Sequence, residues 1–191
     1  MPKRKRTNPR KIPISPSSDE LVSYDKAEML KRANSGNSVY AWLLVLHTML
    51  YQEARSQDEV RQAWDTADSA PTHEALKPSD IRRAEAITGM TMPYPNLEAQ
   101  PIRSKGDAIA FQKKARERAL HLALFSISLG LADTKVYDAM QLKRIFSNVE
   151  LTLAEIESGH NSYGRLMAEV DRSAESIGRK NRPKHETIDA P

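Results

Sequence analysis

The residues with the clearest chemistry are two clusters of Lys and Arg. Six basic side chains and no acidic one lie in the first eleven residues, and a second cluster lies near the middle of the chain. Lys and Arg neutralise phosphates and release their counterions, so both clusters predict contact with nucleic acid or a nucleoprotein complex. The candidate binding residues are Lys3, Arg4, Lys5, Arg6, Arg10, Lys11, Lys113, Lys114, Arg116 and Arg118.

The first cluster differs in charge from the rest of the chain. The whole chain has a net charge of +4, and residues 1–11 contribute +6, so residues 12–191 carry −2. A basic arm on an acidic body can hold a phosphate-rich partner while the body stays dispersed in water. Two alternatives remain for the arm, a passive solubilising terminus and a nuclear import signal.

The second cluster has a helical arrangement. Lys113 and Arg116 share one face of a predicted helix, and Lys114 and Arg118 share another. Arg103 and Lys105 precede them at the end of a Pro-containing segment. The pattern favours a phosphate-facing surface that cooperates with the arm, and the alternative is an ordinary solvated helix face.

The sequence contains no catalytic or metal-binding motif that we recognise. None of the five histidines forms a His-x-x-x-His pair, and neither a Gly-rich phosphate loop nor a Gly-x-Ser-x-Gly elbow is present. His47 lies in an apolar segment, where a lone histidine is typical of a core edge. We therefore expect no enzyme activity, no cofactor and no metal site.

Composition also bears on the compartment. The chain has no cysteine, which fits a reducing cytosol. The longest apolar run, near 41–46, is far too short to span a membrane, and no apolar segment follows the charged N-terminus. These features predict a cytoplasmic protein that does not use a membrane.

Apolar spacing and capping residues predict an all-α fold. The apolar residues Trp42, Val45, Leu46 and Met49 recur at spacings of three and four. The predicted helices cover about 19–33, 38–54, a segment from 56 that carries Trp64, 79–88, 106–131, 135–157 and 161–177. Residues 34–37 are predicted either to break or to kink the first of these helices. On the 106–131 helix, one apolar face is predicted for Ile109, Leu120, Leu124, Ile127 and Leu131.

Proline positions divide the chain into two small helical units joined by a Pro-rich linker. A shift of 82 residues places Val45 on Ile127 and Trp64 on Phe146, which suggests a degenerate tandem repeat. Two amphipathic helical runs also align this well by accident. The predicted organisation is 1–17 a basic extended arm, 18–89 an N-terminal helical unit, 90–104 a linker, 105–177 a C-terminal helical unit and 178–191 a disordered tail.

The start of the chain resembles a group of small prophage proteins of Gram-positive bacteria. The matching residues are the basic run 3–6, the Pro-Arg-Lys-Ile-Pro-Ile stretch 9–14, Trp64 and the 77–89 segment, all within the first 90 residues. The second half of this chain departs from that pattern. The resemblance implies a phage accessory protein inside a bacterial host cell, and it implies no catalytic residue.

These observations predict a non-enzymatic binding protein of phage type that inhibits or modulates a nucleic-acid-processing complex, including CRISPR-type host defence. Its partners would be nucleic acid or a nucleoprotein complex, and a host or phage protein. The alternatives are a DNA-binding transcriptional regulator and a phage assembly or packaging accessory protein. For the regulator, the helices within 60–88 would form a helix-turn-helix, although the connection 68–78 is longer than that motif uses. The oligomeric state is left open by the sequence.

Overall fold

Every regular element that the computed structural model describes is helical, so the fold is all-α as predicted. The structure describes residues 25–53, 56, 58–62 and 75–180. The predicted arm, Trp64 and residues 181–191 of the predicted tail lie outside the described residues. The main helices are α1 (Lys26–His47), α2 (Pro78–Thr88), α3 (Lys105–Asp133), α4 (Ala139–Glu157) and α5 (Tyr163–Lys180).

Helix α1 is continuous through the 34–37 segment, where the sequence predicted a break or a kink. Asp25 caps its start, because the Asp25 Oδ1 accepts a hydrogen bond from the Ala27 backbone N–H at 3.2 Å. A π-helical turn, Thr48–Gln52, follows directly at its C-terminal end. The two helices predicted over 19–33 and 38–54 are thus one helix over the described range.

Caps and turn residues define the other helices. Pro78 lies in the first turn of α2, and Gly89 ends it with a left-handed φ of 79°. A reciprocal capping box between Asp138 and Gln141 starts α4, with hydrogen bonds of 2.8 and 3.0 Å. A 3₁₀ turn at Leu97–Ala99 interrupts the chain between α2 and α3.

Helix α3 lies at the centre of the molecule. Every residue from 123 to 131 is buried, which is typical of a helix covered on several sides. Helices α1, α2 and α4 all pack against α3, and α5 packs against α1. The largest fully buried side chains of the main core include Leu44, Phe125 and Phe146, which come from α1, α3 and α4.

Residues of both predicted units share this main core, and the segment between them also contributes, through Met90. A second, smaller apolar cluster joins Met29 and Ala33 of α1 to Leu97 and Phe111. On α4, Leu142, Ile145, Phe146 and Val149 form the buried face. Ile109 was wrongly assigned to the apolar face of α3, because its side chain is 52% exposed.

Candidate nucleic-acid interface

The first turn of α3 sets the positions of the central basic cluster. Ser104 is the N-cap residue, and its Oγ accepts a hydrogen bond from the Asp107 N–H at 3.1 Å. The Asp107 Oδ2 in turn accepts a hydrogen bond from the backbone N–H of Arg103 at 3.0 Å. The hydrogen bond that the Arg103 N–H donates to the carboxylate is the largest of the causes that hold the pKa of Asp107 below its usual range. The cap therefore fixes where α3 begins and which way each later cation projects.

Lys114 and Arg118 turn towards the segment that precedes α3. The Lys114 Nζ donates to the Gln100 Oε1 at 3.0 Å and lies 5.4 Å from the centre of the Tyr94 ring. The Arg118 guanidinium forms a 2.6 Å ion pair with Glu98, and only 17% of the Arg118 side chain is exposed. These two cations are used within the molecule.

Tyr94 holds this segment against α3. Its φ of 51° is in the left-handed region, which turns the chain sharply. Its hydroxyl donates to the Glu117 Oε2 at 3.1 Å, and this hydrogen bond raises the pKa of Tyr94. Tyr94 therefore connects the 90–104 segment to the side of α3 that also carries Lys114 and Arg118.

Lys105, Lys113 and Arg116 lie on another side of α3, together with Ile109. We call these four residues the basic face. Their spacing of four, four and three residues places them within about 80° of the helix circumference. All four side chains are exposed, and none of the three cations has an ion-pair partner among the described residues. The predicted cluster is thus divided, with Lys113 and Arg116 exposed and Lys114 and Arg118 engaged.

Two further pairs of adjacent basic residues, Arg82–Arg83 and Lys143–Arg144, also divide into one ion-paired and one exposed cation. In α2, Arg83 forms a 2.6 Å ion pair with Asp133, whereas Arg82 is exposed and has no partner among the described residues. In α4, Arg144 pairs with Glu53, whose carboxylate is 3% exposed and also accepts a hydrogen bond from Asn148 at 2.8 Å. Arg82 of α2 and Lys143 of α4 are therefore the exposed cations of these pairs.

His47 is buried, as expected for a histidine at a core edge. Its Nε2 lies 2.8 Å from the Glu169 Oε2, and its ring stacks on Tyr51 at a centroid distance of 5.0 Å. The Nδ1 is buried and has no hydrogen-bond partner among the described residues. The pair therefore joins α1 to α5.

The other histidines in the described part of the chain have local roles. The His121 Nδ1 lies 3.0 Å from the Glu117 carbonyl oxygen, and the His160 Nδ1 lies 2.8 Å from the Ser158 hydroxyl. Over the described residues, no three His, Asp or Glu side chains are grouped as a metal ion would require. Within the same residues, no helix has the length and apolar character needed to cross a bilayer.

Comparison of the chain with protein-family models, with curated proteins and with solved structures finds no match. The arm residues Lys3, Arg4, Lys5, Arg6, Arg10 and Lys11 lie outside the described residues.

The sequence did not indicate that Ile109 belongs to the exposed surface, because its spacing also fits the apolar stripe. A spacing pattern that includes Lys105 and Lys113, four residues to either side, would have indicated it.

Proposed function

We propose that this protein is a non-enzymatic binding protein that modulates a nucleic-acid-processing complex and contacts the nucleic acid through the basic face of α3. The observation that supports the proposal most strongly is the exposure of Lys105, Lys113 and Arg116 without ion-pair partners among the described residues. A cation that lacks a carboxylate partner can pair with a phosphate without first breaking an ion pair. Such surface cations are typical of proteins that bind the phosphate backbone.

The dimensions of the basic face fit a phosphate backbone. Lys105 and Arg116 are eleven residues apart, so they are about 16 Å apart along the helix axis at about 1.5 Å per residue. This length corresponds to about five nucleotide steps at about 3.4 Å per step along one strand.

Ile109 gives the face an apolar centre between its cations. An exposed isoleucine bounded by Lys105 and Lys113 can contact a sugar or base, or the protein component of a nucleoprotein. The acidic body and the resemblance to prophage proteins support a modulator inside a bacterial host cell. A host-defence complex is therefore the target class that we propose.

The test is a titration of the full chain against a fluorescently labelled random duplex at two salt concentrations, about 50 and about 200 mM. The test variant replaces Lys105, Lys113 and Arg116 with Gln. If each cation contacts one phosphate, the magnitude of the log–log salt slope falls by about 2.7, which is about 0.9 for each contact. The matched control replaces Arg82, Lys135 and Lys143 with Gln, since these are also exposed and lack ion-pair partners among the described residues.

An unchanged slope in the Lys105/Lys113/Arg116 variant would contradict the proposed role of the basic face. A loss of binding in the control variant instead would favour the alternative, a DNA-binding regulator that uses α2. A pulldown from bacterial lysate, with and without nuclease, then separates contact with nucleic acid from contact with protein. The proposal expects capture of a nucleic-acid-processing complex by the wild-type chain and its loss in the test variant.

A further inference from the structure

A cleft of about 460 Å³ lies between α1, α2 and α3. Its volume is within the range of small-molecule sites, about 300–1,000 Å³. Most of its lining is aliphatic, contributed by Leu30, Leu76, Ile81, Ala115, Ala119 and Leu122. This lining predicts that the cleft accepts an apolar group.

The polar residues of the cleft are Lys31, Asn34, Glu98 and Arg118. They comprise two cations, one anion and one amide. Glu98 is 62% exposed and occupies one terminal nitrogen of the Arg118 guanidinium, Nη1. The other terminal nitrogen has no partner among the described residues, and Lys31 is exposed without a partner there. The polar edge is therefore net positive and retains donors for an incoming anion.

Arg118 has the features of a positioned anion-binding group. Its side chain is largely buried, and its Nε is shut off from solvent with no hydrogen-bond partner in the described structure. A buried donor without a partner is destabilising, so this guanidinium is held in an environment that its internal contacts do not fully satisfy. A planar guanidinium that already binds one carboxylate can also bind a second carboxylate or exchange the first for it.

We propose that this cleft binds a small amphipathic carboxylate, such as a medium-chain fatty acid. The apolar body lies against the aliphatic lining, and the carboxylate pairs with Arg118 and Lys31, displacing or sharing the exposed Glu98. A cationic amphiphile would meet two cations and one carboxylate, so its binding is disfavoured. The cleft and the basic face lie on sides of α3 about 120° apart, so this proposal does not depend on the proposed function.

Isothermal titration calorimetry with decanoate tests the proposal, with decanol and decylammonium as matched ligands. We expect decanoate to bind at least tenfold more tightly than either. Replacement of Arg118 by Met keeps an aliphatic stem but removes the charge, and a hydrogen bond to a charged group is worth about 1.5–3 kcal/mol. The Arg118→Met variant should therefore weaken decanoate binding by about 10–150-fold.

Two milder variants keep the test valid if Arg118→Met does not fold. Ala27 lines the cleft but is exposed, so Ala27→Leu can occupy cleft volume without overpacking the core. Lys31→Gln removes the second cation. We expect each to weaken decanoate binding at least fivefold, whereas Ala110→Leu, an exposed position of α3 outside the cleft lining, should leave it unchanged.

Three results would overturn the proposal. The first is a decanoate dissociation constant weaker than about 1 mM for the wild-type chain. The second is equal binding of decanoate and decanol, which would show that the cations do not select a carboxylate. The third is unchanged binding in folded Ala27→Leu and Lys31→Gln variants, with folding checked by circular dichroism.

Discussion

The His47–Glu169 pair joins the buried C-terminal part of α1 to a part of α5 whose residues are mostly exposed. The Glu169 carboxylate accepts the 2.8 Å hydrogen bond from His47 and another of 3.2 Å from Arg165, while Arg172 lies 4.0 Å away. The hydrogen bond from His47 lowers the pKa of Glu169 more than burial raises it. Since the folded state holds this carboxylate ionised, Glu169 stabilises the protein only while it is charged.

The first stability prediction concerns the acid limb of the pH profile. The pKa of Glu169 is lower in the folded state than in the unfolded chain, so its contribution is present above the unfolded pKa, about 4.5, and is lost as the pH falls through the folded pKa. We expect Glu169→Gln to destabilise the protein at pH 7 by about 1 kcal/mol, roughly 2–4 °C in Tm. The difference between wild type and variant should shrink as the pH falls below about 4.5, as measured by thermal melts.

Asp171→Asn is the matched control, because Asp171 lies on the same helix, is exposed and has no partner among the described residues. Its Tm should follow that of the wild type across the same pH range. A Tm difference between wild type and Glu169→Gln that stays constant down to pH 3 would show that Glu169 acts through packing and not through its charge.

At the scale of single residues, the sequence identifies His47 but not its partner. A lone histidine in an apolar helix predicts a core-edge position, which is what the structure shows. Glu169 lies 122 positions later on a helix whose docking site depends on the packing of α1 and α5. Local spacing contains no information on such a contact, so the pair becomes visible only in the folded chain.

At the scale of elements, the α2 terminus depends on a backbone conformation that glycine adopts readily. Gly89 has a φ of 79°, and its N–H donates to the Glu85 carbonyl at 2.9 Å. A Cβ at this position would meet only the Lys143 Cε, at 3.6 Å, which is ordinary contact. The cost of an alanine is therefore a backbone cost and not a clash.

The second stability prediction follows from that geometry. Gly89→Ala should destabilise the protein by about 1–2 kcal/mol, because a left-handed conformation costs an L-residue about that much. Gly164→Ala is the matched control, since Gly164 is within α5, has no positive φ and has open space at its Cβ position. Gly164 is the second residue of α5, where the helix-interior cost of glycine applies only in part, so alanine there should stabilise by no more than about 0.5 kcal/mol. Urea unfolding measures the free energy of unfolding of both variants. Equal changes in that free energy, in the same direction, would contradict this account.

The sequence predicts where the helices form better than it predicts which of their faces are covered by the rest of the protein. The predicted ranges 79–88, 106–131 and 135–157 match α2, α3 and α4 to within four residues at each end. The outward direction of Ile109 and the inward direction of Lys114 are not predicted, because they depend on the 94–100 segment packing along one side of α3. A spacing rule assigns residues to faces, but the tertiary fold decides which faces are covered.

At the scale of the whole molecule, the two predicted units meet in one apolar cluster. Leu44 and Met49 of the N-terminal unit lie in the same core as Leu124, Ile145 and Phe146 of the C-terminal unit. The tandem repeat and the linker stay predictions, since a shared core neither requires nor excludes a duplicated origin. The shared core does determine how the units should unfold, because neither half covers its apolar residues alone.

The last prediction is that both units unfold together. Trp42 and Trp64 both belong to the N-terminal unit, so tryptophan fluorescence reports that unit, while far-UV circular dichroism reports every helix. Ile145 is fully buried in the C-terminal unit, and Ile145→Val should cost about 0.5–1.5 kcal/mol. Because the core is common to both units, this change should move the fluorescence and dichroism transitions in urea by the same amount, whereas Met140→Leu at an 82% exposed site should move neither. A dichroism transition that shifts while the fluorescence transition stays in place would show that the two units are independent domains, as the division at 90–104 predicts.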